Sequence, residues 1–154
     1  RIEPKDIAVE EACTDEELAV HGRAAELEQV LVNLCMNAVQ AMPQGGVLQI
    51  GTEKISPEKS FLIAPGARIT IVDTGPGIPQ DIMDRNLNMY PTTDSSNGPP
   101  PLGLIVSNRV VQRHRGYFSL QRNTPNGTRI DIELPISSGK DLREISQVST
   151  ARNR

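Results

Sequence analysis

Apolar residues recur at Leu27, Val30, Leu31, Leu34, Ala38 and Ala41, the spacing of one buried face of a helix. This pattern predicts a long amphipathic helix over Leu27–Met42. Gly22-Arg23-Ala24-Ala25 leads into it and Pro43-Gln44-Gly45-Gly46 ends it, because glycine past the last turn is a common helix stop. Beside the apolar face runs a polar stripe, Gln29, Asn33, Asn37 and Gln40; residues four apart share a helix face. Asparagine is a poor mid-helix residue, since its side chain competes for backbone hydrogen bonds. Two of them one turn apart mark either a solvated face or the wall of a ligand groove.

Elsewhere the period changes to two. Val47–Thr52 and Ala67–Asp73 alternate apolar and polar positions, as half-buried strands do. Asp6–Val9 and Glu17–Val20 read as two shorter strands, and Ser56–Gly66 as a hairpin loop. Leu102-Gly103-Leu104 opens a second helix reaching about His114, with Ile105, Val106, Val110 and Val111 as its apolar face. Gly116–Gln121 and Thr128–Leu134 form a closing hairpin around Thr124-Pro125-Asn126-Gly127, a strong turn signal. Asp81–Arg85 suggests one or two helical turns. Asn86–Pro101, rich in small polar residues and proline, reads as a mobile loop; loops of that length in compact domains tend to be lids or disordered. Ser137–Arg154 is a polar tail with a short helix at Asp141–Val148. The expected fold is α/β: a two-layer α/β sandwich, a mixed sheet with helices on one face, with the domain over residues 1–136, a flexible lid at about 79–101, and a tail or linker over 137–154.

Composition narrows the function classes. The chain has 154 residues and a formal net charge of −3, room for one core without the basic surface of a nucleic-acid binder. Two Phe, two Tyr and no Trp leave an aliphatic core and no platform for stacking bases. Cys13 and Cys35 are the only cysteines, so neither a zinc site nor a disulfide framework is expected; Cys35 reads as a buried thiol. No apolar run approaches a membrane span or a signal peptide, which reads as an intracellular piece, opening on Arg1-Ile2-Glu3-Pro4 as though cut from a longer chain.

Three features carry the chemistry. Asn33 and Asn37 line the helix stripe. Asp73-Thr74-Gly75-Pro76-Gly77 follows a strand: a carboxylate there can accept a hydrogen bond from an exocyclic amine, and glycines let backbone approach a flat base. Leu102-Gly103-Leu104 starts a helix after the loop, where free N–H groups can hold phosphate. Each is weak alone; the three in this order are specific.

In these residues the chain resembles the catalytic, ATP-binding domain of sensor histidine kinases, in the superfamily shared with gyrase, the Hsp90 chaperone and the MutL repair protein. The resemblance covers roughly residues 5–136. Leu27–Met42 resembles the family's N box, Asp73-Thr74-Gly75-Pro76-Gly77-Ile78 its G1 box, and Gly127-Thr128 with Leu134-Pro135 its closing strand; Asn37–Gly46 resembles the nitrogen-regulation branch. The resemblance implies ATP and Mg²⁺ as ligands, with Asn33, Asn37, Gln40, Asp73, Gly75, Gly77, Ile78, Leu102, Gly103, Leu104 and Thr128 at the nucleotide. Asn37 would ligate the metal through its amide oxygen, Asn33 support the phosphates, and Asp73 take the adenine amine with Thr128 nearby. It also implies a cytoplasmic location, free or as part of a membrane-anchored sensor. The implied partners are a dimerisation domain carrying the phosphoacceptor histidine and a response regulator, with no nucleic acid and no membrane contact by this domain.

The departures from the family pattern are informative. Superfamily members that hydrolyse ATP carry Glu one turn before the metal Asn. Here that residue is Asn33, and an amide cannot take a proton, which favours transfer to another group over hydrolysis. Neither His21 nor His114 has the acid-flanked context of a phosphoacceptor; both read as surface histidines. In the lid, Thr92-Thr93 fits the family but the Phe pair and following Lys do not. Pro99, Pro100 and Pro101 replace the second Gly-x-Gly, removing backbone N–H groups. Two readings follow: an active kinase catalytic domain, or a degenerate one serving as a docking module in a phosphorelay.

Overall fold

A computed structural model describes residues 6–78 and 102–137. The expected turns at Asp81–Arg85, the lid at about 79–101 with its three prolines, and the tail from residue 138 onward lie outside the described residues.

Strand β1 (Ile7–Cys13) leads through helix α1 (Ala24–Gln40) to β2 (Gly46–Ile55); a loop over 56–65 turns back into β3 (Gly66–Asp73). Helix α2 (Leu102–Arg113) then precedes the hairpin β4 (Tyr117–Arg122) and β5 (Thr128–Pro135). The sheet has five strands in the order β1-β2-β3-β5-β4. β1 and β2 run parallel, joined by the α1 crossover, and the other neighbours are antiparallel. The mixed two-layer sandwich expected from the alternation of periods is therefore the observed fold.

The core lies between one sheet face and the two helices. Val30, Leu34 and Ala38 of α1 and Leu104, Val110 and Val111 of α2 meet Leu48, Ile71, Ile130, Ile132 and Leu134 of the sheet. Each fully buried aliphatic side chain contributes roughly 1.5–3 kcal/mol. Leu34, Val111 and Ile132 are among the most deeply enclosed. Cys35 packs partly against this cluster, and burial pushes its thiol pKa up, which makes it unreactive.

Several boundaries differ from expectation. The first strand runs on from the expected Asp6–Val9 to Cys13 and the next from Val47–Thr52 to Ile55, because β1 and β2 stay paired in register as far as Cys13 and Thr52. Helix α1 starts at Ala24, a turn before the apolar periodicity, because Ala24 and Ala25 carry the highest helix propensity without marking a face. It ends at Gln40, and Ala41 and Met42 belong to the closing turn: the Ala41 N–H donates to Asn37 O and the Met42 N–H to Val39 O. The second short strand expected at Glu17–Val20 is reduced to a single antiparallel bridge, Val20 to Ile136. Val20 is its one good strand former, and pairing ends there apart from the Ser137 N–H donating to Ala19 O.

The outer sheet face holds the polar side chains. Glu133 of β5 is fully enclosed: its carboxylate accepts from Ser60 Oγ at 2.9 Å, the Phe61 N–H at 3.0 Å and the Arg68 guanidinium. It anchors the 56–65 loop over that face. Alternation alone would leave Glu133 in water.

Candidate functional site

The end of α1, the turn after β3, the start of β5 and the start of α2 converge. Asp73, last residue of β3, is buried and pairs in register with Thr128, first residue of β5. Its Oδ1 accepts the Gly75 N–H at 2.9 Å, and the Thr128 backbone N–H also hydrogen-bonds to the carboxyl group. Burial pushes its pKa above the ordinary value, against the downward pull of those two N–H groups. A desolvated carboxylate with only backbone donors around it retains acceptor capacity for a further donor.

Glycine is required by geometry at the two turns beside it. Gly77 has φ +83 and Gly127 φ +111, and a side chain on Gly127 would run into the Asp73 carbonyl. Gly77 in turn lies against the Gly127 carbonyl, which a Cβ would approach to 3.0 Å. The two turns pack backbone to backbone, with no room for a side chain at either glycine.

Helix α1 reaches this turn through its last residues. A Cβ on Gly75 would stand 2.8 Å from the Ala41 carbonyl oxygen. Thr74 fastens the same corner: its hydroxyl accepts the Val47 N–H at 3.0 Å and contacts Met42 Sδ at 3.6 Å. Sequence reasoning gave Thr74 no role, although it sits inside the Asp-x-Gly-x-Gly phrase. One turn back on α1, Asn37 is half-buried and faces Gly103 of α2, where a Cβ would lie 3.2 Å from Asn37 Nδ2. Asn37 and Asp73 are thus linked through one helical turn and one tight turn.

The other predicted residues are placed unequally. Asn33 Oδ1 accepts from Gln29 Nε2 at 2.8 Å, along the helix face. Gln40 is exposed at the end of α1. Leu104 is a core residue, whereas Leu102 is 65% exposed; Ile78 packs at the edge of the core. Among the described residues no group of three His, Cys, Asp or Glu side chains could hold a metal. A cation beside Asn37 would therefore take most of its oxygens from a ligand and water, as Mg²⁺ commonly does.

His114 is more than a surface histidine. Its Nε2 accepts the Arg23 N–H at 3.1 Å and its Nδ1 lies 2.7 Å from Val110 O. Both ring nitrogens are therefore engaged by backbone groups.

An acid on a strand end beside two glycine turns, an amide one turn up the adjoining helix and a glycine helix start opposite it converge at one end of the α/β sandwich. Residues 22–138 match the family described as Histidine kinase-, DNA gyrase B-, and HSP90-like ATPase, and the chain belongs to that family. It is 30% identical over 120 residues to Sporulation kinase C of Bacillus subtilis, covering 77% of this chain and 26% of that protein. It is 32% identical over 117 residues to the Sensory histidine kinase/phosphatase NtrB of Salmonella typhimurium, covering 72% of this chain and 32% of that one. The chain thus spans a third or less of these relatives. Among solved structures, the mycobacterial sensor histidine kinase MprB superposes with a TM-score of 0.65 at 29% identity, over 84% of this chain and 82% of that one. Among the described residues no helix is long and apolar enough to cross a membrane.

Proposed function

We propose that this domain binds ATP with Mg²⁺ and presents the γ-phosphate to a histidine on a dimerisation domain of its parent protein, from which a response regulator takes it. The observation that carries this reading is the buried Asp73 carboxyl, held by two backbone N–H groups at a strand end beside two glycine turns. That geometry suits the adenine amino group, with Thr128 beside it and Gly75 and Gly77 shaping the pocket. Asn37 would hold Mg²⁺ through its amide oxygen, and the bound cation supplies positive charge between phosphate oxygens. Gly103 gives Asn37 room opposite the start of α2, and Asn33, Gln40, Ile78 and Leu102 would complete the nucleotide's surroundings.

Two features favour transfer over hydrolysis. Asn33 cannot act as a base, and its amide oxygen is engaged by Gln29. The acceptor is external to these residues: both ring nitrogens of His114 are engaged by backbone groups. Incubation of the chain with γ-labelled ATP and Mg²⁺ tests the reading. Label should pass to an added dimerisation domain of the parent protein and not to the chain itself. Acid-labile label on His21 or His114 would overturn it.

A further inference from the structure

A second cleft, of about 620 Å³, lies where the first turn of α1 meets the last turn of α2. It is remote from the proposed nucleotide groove: along α2, Arg113 at its C-terminal end lies roughly 15 Å from Gly103. Three arginines and two histidines line it, against one acid, Glu26, in a chain whose formal charge is −3.

The acid does not cancel the cations. Glu26 divides its two oxygens between Arg23 at 3.5 Å and Arg113 at 4.0 Å, with both guanidiniums largely exposed; pairs that long in solvent are weak. The Arg115 guanidinium has no partner among the described residues. Its backbone is notable too. Arg115 has φ +59, with its N–H on Gln112 O and the Gly116 N–H on Val111 O. That is the helix-ending loop in which glycine is usual at this position. Arginine there carries a strain that glycine would not, which directs attention to its side chain. His114 fixes the walls relative to one another by accepting the Arg23 N–H from its place at the end of α2. Gly22 lies flat against the ring, where any side chain would collide.

We propose that this cleft binds an acidic segment of a protein partner. Arg23, Arg113 and Arg115 would take its carboxylates, and Pro135 and Ile136 the aliphatic groups between them. The cations come from separate elements around an open cleft about twenty times the volume share of one water, an arrangement that fits an extended chain better than a single ion. The proposal is independent of the nucleotide reading.

The test is fluorescence anisotropy with the full chain at low salt, using a short fluorescein-labelled peptide of alternating Glu and Leu. The same peptide with Gln for Glu is the first control, and inorganic phosphate the competitor. Arg115→Gly keeps the backbone conformation without strain, so its melting temperature should hold or rise while affinity for the Glu peptide falls by up to about fivefold, the scale of one exposed charge pair. Arg113→Gln should do the same, and Arg122→Gln, on β4 outside the cleft, should bind like wild type. The Gln peptide should not bind. Failure of the Glu peptide to bind, equal binding by Arg115→Gly and Arg113→Gln and wild type, or full displacement by phosphate at the peptide's own concentration would each overturn the proposal.

Discussion

Gly103 and Asn37 touch across the groove between the two helices: a methyl group on Gly103 would stand 3.2 Å from the Asn37 amide nitrogen. That is tighter than ordinary contact, so Asn37 would have to give way. Alanine is also the better helix former, by up to about 1 kcal/mol. Gly103→Ala should therefore leave thermal stability equal or higher while weakening Mg-ATP binding, with little effect on adenosine. Calorimetric titration of both ligands, alongside a melting curve, checks this; adenosine and ATP weakened equally would mean that Gly103 does not act through the phosphates.

The proposed base pocket rests on Asp73. Asp73→Asn replaces one acceptor oxygen with a donor facing the adenine amine. A hydrogen bond to a charged group is worth roughly 1.5–3 kcal/mol, so ADP binding should weaken about ten- to a hundredfold. Unchanged ADP affinity would remove Asp73 from the site.

The same residue makes a pH prediction. Burial raises the Asp73 pKa above its ordinary value of 3.8, so the native state holds this proton more tightly than the unfolded chain. Its contribution to stability is complete below the unfolded value and is lost as pH rises through the raised native one. Urea midpoints of the wild type should fall relative to those of Asp73→Asn as pH rises from about the ordinary Asp value. Parallel profiles would show that the carboxyl is not desolvated.

Glu133 makes a stability prediction. Breaking a buried ion pair costs about 3–5 kcal/mol, and loss of the Glu133 carboxylate leaves Arg68 only its 3.6 Å contact with the exposed Glu53. Glu133→Ala should lie toward that range and expose the Phe61 amide, now bonded to the carboxylate, to hydrogen exchange. A loss under about 1 kcal/mol, the scale of an exposed pair, would mean that water reaches Arg68 in the native protein.

Local pattern revealed much of the fold and left the long-range contacts hidden. The strand ending in Asp73, its glycine turns and the asparagines of α1 were readable because each depends on a short period or a required φ. That Asn37 faces Gly103, or that Ala41 backs Gly75, depends on how two helices cross the sheet, which no local period encodes. Glu133 was missed for that reason: alternation assigns it to the open face, and only the 56–65 loop returning across that face buries it. His114 looked superficial because its partner, the Arg23 N–H, lies 91 residues away.

If Asp73 and Asn37 belong to one Mg-ATP site, their substitutions should separate the base from the metal. Calorimetric titration of the full chain with ATP, with and without Mg²⁺, on wild type, Asp73→Asn and Asn37→Ala shows whether they do. Wild-type binding should be strengthened by Mg²⁺, Asp73→Asn should weaken every nucleotide, and Asn37→Ala should lose the Mg²⁺ effect alone. A wild-type chain that binds neither ATP nor adenosine would contradict a shared site and leave the docking-module reading in its place.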